Sequence, residues 1–374
     1  MPKIVQLQEF HEKNGHLTEF AGFSLPLWFK SITAESLAVR NAAGIFDVSH
    51  MGRAIIVGRD SQMLIDHITT NNVASLENGQ GQYSLICNDK GGIMDDVLVF
   101  RLQDQEYMIV YNAGNRQKDY DWIINNSRGL AVEVEDVSDK VAMFAVQGPE
   151  ARELVQHLSS DDLLSIPRFG CSWTKLAGFK ALISRTGYTG EDGFELFIWN
   201  SQIEDPGNAK AVWNKLLEIG RTYGLEPCGL GARDLLRLEA GLCLYGYDMD
   251  ENTNPYEARL GFVVKLQKNF IGKQKLQEAK EKGPSRVRVG MIARRRIIPR
   301  RGFPIFQQAK SVGEVTSGSL SPILNTGIAM GYVKKETAEE GTELNIQVRD
   351  RMEKARVVKP PFYDTTRYGF SRKT

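Results

Sequence analysis

The chain has 374 residues, 42% of them hydrophobic, enough to bury a large core and more than one core usually organises, so two or three domains are expected. Its 47 basic and 46 acidic residues leave a net charge of +1, which supplies no global field for nucleic acid or an anionic membrane. No run reaches the ~18 apolar residues of a membrane span, and Met1-Pro2-Lys3-Ile4-Val5-Gln6 has neither a signal-peptide core nor transit-peptide composition, so a cytoplasmic protein is predicted.

Four cysteines (Cys87, Cys171, Cys228, Cys243) lie far apart with no Cys-x-x-Cys, which argues against a disulfide framework and a structural zinc site. The five histidines show no metal-ligand spacing either, so no metal is expected.

In chain order, residues 5–15 read as a short helix, and 20–29 as an apolar approach to the core punctuated by Gly22 and Pro26. Thr33 is the predicted cap of a helix that ends near Gly44. The stretch Gly44-Ile45-Phe46-Asp47-Val48-Ser49-His50-Met51-Gly52 precedes an alternating strand at 53–57. His50 has the chemistry of an acid or base, but with no partner in view it reads as a satisfied structural histidine.

Residues 82–100 give a hairpin signal, with a turn at Asn88-Asp89-Lys90-Gly91-Gly92 between two β-rich runs. Asp95-Asp96 follow where such a hairpin should already be apolar. Neighbouring strand residues face opposite ways, so one of the two aspartates at most enters a given cavity. An inward Asp96 needs a hydrogen-bonding partner; otherwise both simply solvate a strand end.

Helical spacing recurs at 61–70 and 117–125. The strand 106–111 ends in Asn112-Ala113-Gly114-Asn115, whose amides can cap the following helix or face a heterocycle. Residues 141–146 read as a strand, after which Gln147-Gly148-Pro149-Glu150 opens a helix. The strand 180–184 leads into Arg185-Thr186-Gly187-Tyr188-Thr189-Gly190-Glu191-Asp192-Gly193, a glycine-rich loop. On the strand beyond it, Glu195 falls on the opposite face from Phe194, Leu196 and Ile198, lining either a half-polar pocket or an exposed sheet face.

The Gly229-x-Gly231 pair lacks the third glycine and the βαβ context of a dinucleotide site. Arg233 and Arg237 stand one helical turn apart and can both reach one side to grip a carboxylate; a solvated face with an Asp234–Arg237 pair fits Arg237 equally. Gly283-Pro284-Ser285 reads as a linker. Short strands at 286–292, 314–316, 328–333, 343–348 and 354–359 predict a small β-barrel. The one strong charge run, Arg294-Arg295-Arg296-Ile297-Ile298-Pro299-Arg300-Arg301, is by default a solvated hairpin.

Taken together, Phe20-Ala21-Gly22, the 44–52 stretch, Gly91-Gly92-Ile93-Met94-Asp95-Asp96, the loop 185–195 and Ala232-Arg233-Asp234-Leu235-Leu236-Arg237-Leu238-Glu239-Ala240-Gly241 resemble the T-protein family of the glycine cleavage system. So do Leu244-Tyr245-Gly246, Asn269-Phe270-Ile271-Gly272-Lys273, Val315-Thr316-Ser317-Gly318 and Pro361-Phe362.

The resemblance spans essentially the whole chain. It implies an α+β, three-lobed folate-binding fold: a body of two interleaved α+β lobes over 1–283 and a C-terminal β-barrel domain over 284–374. It also implies an aminomethyltransferase that passes a methylene group from the aminomethyl-lipoyl H-protein to tetrahydrofolate, its co-substrate, with release of ammonia. By the same resemblance Asp96 is catalytic, Glu195 holds the pterin's donor edge, Tyr83 and Tyr188 line the pocket, Asn112 is a polar contact, Arg233 meets the glutamate end, and Tyr368 is a C-terminal substrate contact.

Three positions depart from the family pattern: Ser36 after Glu35, where a histidine is common, Phe23 where a tryptophan is common, and Tyr368, which aligns only with a one-residue shift. Two relatives compete. A tetrahydrofolate-dependent demethylase would use the same folate grip on an N- or S-methyl donor. A folate-binding iron–sulfur maintenance factor would carry a Lys-Gly-Cys-Tyr-type motif where this chain has Arg185-Thr186-Gly187-Tyr188.

Overall fold

A computed structural model describes residues 1–372. The chain divides into two compact units, each assembled from separate stretches: 1–68, 72–84 and 97–234 in the first, and 69–71, 85–96 and 235 onward in the second.

The first unit is organised by a six-stranded sheet in the order Cys171–Leu176, Phe179–Ser184, Gly193–Ile198, Ala142–Gln147, Ala43–Asp47, Leu225–Pro227. Its pairings are antiparallel except the last. Ala142–Gln147 is buried at every residue, as its unbroken apolar run requires of a strand covered on both faces. Phe144, Phe194 and Leu196 pack with Val212, Trp213 and Leu216 of the helix Gly207–Gly220, and the Phe144 and Trp213 rings meet edge-on at 5.1 Å.

A five-stranded sheet runs Gln80–Cys87, Ile93–Gln103, Glu106–Tyr111, Gly52–Val57, Glu133–Asp136. The strand Ile93–Gln103 belongs to the second unit up to Asp96 and to the first from Val97.

In the second unit six strands close a barrel in the order Arg286–Ala293, Thr326–Lys334, Lys310–Ser321, Pro304–Gln307, Glu343–Val348, Arg351–Val358. Val287, Val289 and Met291 alternate inward with Ile305, Val315, Leu344 and Val357, and closure leaves no open sheet edge. The α+β class and the C-terminal barrel are therefore those the sequence predicts. Among the described residues no helix is long and apolar enough to cross a membrane, and no cluster of His, Cys, Asp and Glu could hold a metal ion.

Several local readings change. Ser31, not Thr33, caps the helix Ile32–Asn41, accepting a hydrogen bond from Ala34 N–H. Residues 16–28 form a hairpin, His16–Phe20 with Phe23–Trp28, because Ala21 and Gly22 both take positive φ and turn the chain. Gln147 ends a strand, and the helix that follows starts only at Ala151. Pro304–Gln307 is a barrel strand that its glycine- and proline-flanked sequence concealed. The arginine run 294–301 is no hairpin, since the strands on either side of it pair with other strands.

Candidate active site

Glu195 sits in the strand Gly193–Ile198 and is 4% exposed. One carboxylate oxygen accepts the Thr186 hydroxyl, which is in turn within 2.6 Å of the Ser184 hydroxyl. The other oxygen has no hydrogen-bond partner among the described residues. Burial raises the Glu195 carboxyl above its ordinary value, against the pull of the Thr186 hydrogen bond and the positive charge of Arg233.

Arg233 projects from the first turns of the helix Leu230–Ala240, and its guanidinium lies over the Tyr188 ring at 4.8 Å. It is half-buried and makes no side-chain hydrogen bond among the described residues, so its five donors remain available in a planar fork. Tyr188, Glu195 and Arg233, which the resemblance assigns to one ligand, thus lie near one another.

The loop between Ser184 and Gly193 owes its shape to three anchors. Arg185 grips Asp192 bidentately at 2.9 and 2.6 Å. The fully buried Arg40 donates to Glu191 (2.8 Å) and to the Thr189 carbonyl (2.9 Å). The Gln147 carboxamide fills the middle of the loop so closely that a Cβ on Gly187 would lie 1.9 Å from Gln147 Oε1, so only glycine fits there.

The helix carrying Arg233 is fixed from below by Glu35, 1% exposed. One Glu35 oxygen accepts the backbone N–H groups of Phe29 and Lys30, the other that of Gly229, all at 2.8 Å. A Cβ on Gly229 would meet the Leu27 carbonyl at 2.5 Å, so the chain 26–30 and the helix start touch backbone to backbone.

His50 is 1% exposed, between Phe20 and Phe23 at ring distances of 5.9 and 6.3 Å. Burial and the nearby Arg233 charge pull it down to about 3, so it is a neutral imidazole. It is not the satisfied histidine the sequence predicts, for its Nδ1 has no hydrogen-bond partner among the described residues.

Tyr83 is half-buried on the strand Gln80–Cys87. Asn112 follows the strand Glu106–Tyr111, and neither it nor Asn115 caps the helix Arg116–Ser127 through its side chain, which removes the capping explanation for the pair.

In the second unit Asp95 is the fully buried member of the aspartate pair, while Asp96 is half-buried at the last position before the chain enters the first unit. Arg237 does not lie on the solvated helix face that is one reading of it from sequence. It is buried, donating to Asp248 (2.6 Å), the Leu242 carbonyl and Ser317. Tyr368 is half-buried near Tyr363, their rings 6.3 Å apart, with the Arg367 guanidinium 5.5 Å from its ring.

Gln147, Thr186 and Glu35 were not singled out from sequence. Glu35 is separated by 194 residues from Gly229, and nothing local marks the pair.

The two larger sheets, the closed barrel and the helices between them define a protein of mixed α+β architecture. Residues 7–268 match the family described as the GCVT N-terminal domain, and 286–364 the glycine cleavage T-protein C-terminal barrel domain, a span that ends before Tyr368. An aminomethyltransferase of Halothermothrix orenii is 46% identical over 96% of this chain and 99% of its own length. Another, from Bacillus subtilis, is 42% identical over 95% of this chain and 97% of its own.

A crystal structure of the glycine cleavage system aminomethyltransferase T from Bartonella henselae superposes with a TM-score of 0.90 at 34% identity, covering 99% of this chain and all of the other. The chain belongs to the glycine cleavage T-protein family. Its activity is aminomethyl transfer.

Proposed function

We propose that the acceptor of the transfer is tetrahydrofolate and the donor an aminomethylated lipoyl carrier, the H-protein, so that methylene-tetrahydrofolate, ammonia and the dihydrolipoyl carrier are the products. The observation that carries this reading is the pairing of a buried carboxylate with one unused oxygen and a guanidinium with unused donors beside a tyrosine ring. A pterin offers a ring N–H and an amino group to such a carboxylate, and the glutamate end of a folate offers a carboxylate to such a guanidinium. When bound, tetrahydrofolate brings the nucleophilic nitrogen that takes the one-carbon group.

The chain's own residues then have distinct tasks. Glu195 orients the ligand by accepting from its donor edge, with Thr186 keeping the carboxylate in place. Arg233, held over Tyr188, neutralises the far anionic end; Tyr83, Asn112 and Tyr368 are further contacts in this reading. Asp96 is the catalytic carboxylate: a fixed negative charge at the reacting nitrogen aligns it and favours the positive charge that develops on the transferred carbon.

The partner has a candidate surface. Arg295, Arg296 and Arg300 are exposed, Arg294 pairs with Glu343, and Arg301 lies 4.6 Å over the ring of Tyr247, itself 47% exposed. Arginine and tyrosine together suit an acidic protein face. A cytoplasmic site of action agrees with four buried cysteines that form no disulfide.

The deciding experiment follows methylene-tetrahydrofolate and ammonia from aminomethylated lipoyl H-protein, with and without tetrahydrofolate. Folate-dependent release of both is expected. Asp96→Asn should keep the fold and most folate affinity while turnover falls about 100-fold or more; wild-type turnover in that variant would remove Asp96 from its role. Tight folate binding by the wild type without turnover would point instead to a demethylase acting on another donor.

A further inference from the structure

The loop that presents Tyr188 and the strand that presents Glu195 share a central side chain that the proposed reaction does not itself require. Gln147 is fully buried at the end of its strand. Its Nε2 donates to the Thr186 carbonyl (3.0 Å) and lies within reach of the Val146 and Phe194 carbonyls (3.2 and 3.4 Å). Its Oε1 accepts the Thr189 hydroxyl at 2.9 Å. Three carbonyl oxygens around one end and a hydroxyl at the other fix the orientation of the amide.

A leucine or methionine could fill the same volume without the cost of burying an amide, which is tolerated only where its hydrogen bonds are made. Here they are made to the loop on both sides of Tyr188. The same Thr186 whose carbonyl Gln147 holds gives its hydroxyl to Glu195.

We propose that Gln147 is a positioning residue for ligand binding: by pinning Thr186 and Thr189 it sets the Thr186–Glu195 contact and the placement of Tyr188. This rests on the folate reading above, which assigns the ligand edge that Glu195 meets. Gln147 acts through Thr186, which makes its contribution separable from a general contribution to stability.

The test is a double-mutant cycle read by tetrahydrofolate titration on the intact chain. Gln147→Met should weaken binding about tenfold, equivalent to about 1.4 kcal/mol. KM for folate should rise while kcat, reached at saturating folate, changes little. Thr186→Val should weaken binding by a similar factor, and adding Gln147→Met to it should cost almost nothing more.

A purely structural glutamine would lower Tm in both backgrounds and leave folate affinity intact. Wild-type affinity in Gln147→Met, or losses that simply multiply in the double variant, overturns the proposal. Should Gln147→Met not fold, Thr189→Val frees the same amide from its other end. About threefold weaker binding is then expected, and unchanged binding overturns the proposal equally. A wild-type chain that binds no tetrahydrofolate overturns the folate reading, and this inference with it; wild-type binding with an indifferent Gln147 overturns the inference alone.

Discussion

Glu195, proposed above to meet the ligand, is a carboxyl held at some cost to the folded chain. Its proton affinity is raised by burial, so the folded state holds that proton more tightly than the unfolded state does. Stability from this group is therefore fully present below its unfolded value near 4.5, declines as the pH rises through the raised folded value, and stays reduced above it. Glu195→Gln can still accept the Thr186 hydroxyl but carries no charge to desolvate. At pH 7.5 its Tm should rise by a few degrees, the scale of about 1 kcal/mol, while tetrahydrofolate affinity falls at least about tenfold. A melting scan and a titration on the same sample check both; a lower Tm with unchanged affinity would remove Glu195 from the site. Glu195 was legible in sequence because strand alternation isolates it from Phe194, Leu196 and Ile198. Thr186 was not, since its role depends on a loop that brings a residue nine positions away onto the carboxylate.

At the scale of the element, the helix Leu230–Ala240 and the chain 26–30 are joined by one carboxylate. Glu35 accepts three backbone N–H groups, that of Gly229 buried and those of Phe29 and Lys30 partly so. Glu35→Ala should destabilise the protein by about 3–5 kcal/mol in urea unfolding, and Glu35→Gln by less, because its amide oxygen still accepts. A loss under about 1 kcal/mol for the alanine variant would show that water replaces the carboxylate. The sequence disclosed the helix and its glycine-rich start. It could not disclose Arg237's fate, because Asp248 lies in an irregular segment where no periodicity brings the two together. For the same reason the hairpin 16–28 read only as an apolar approach: its turn is made by Ala21, a residue that seldom adopts positive φ.

For the whole molecule, net charge near zero leaves local charge to choose the partner. If the 294–301 face receives an acidic carrier, reversing Arg295 and Arg300 to glutamate should raise KM for the carrier about tenfold or more. It should also flatten the salt dependence of association, with folate affinity unchanged. Equal KM values for variant and wild type at low ionic strength would place the docking face elsewhere. The class, the barrel and the family were all legible across the full length, because each is carried by many weak local signals in order. Pro304–Gln307 escaped because a four-residue strand beginning with proline looks like loop.

The second unit gathers residues 69–71 and 85–96 with the chain from 235 onward. During synthesis its first two stretches therefore leave the ribosome long before the segment that completes them. At about 5–20 residues per second, the 138 residues between Asp96 and Leu235 take roughly 7–30 seconds to make. Throughout that interval Leu85, Ile86, Ile93 and Met94, all buried in the finished protein, must wait without the segment from 235 onward that completes their unit. Slow translation beyond residue 96 lengthens this exposure, and a chain cut near 283 retains the waiting strands but never the barrel.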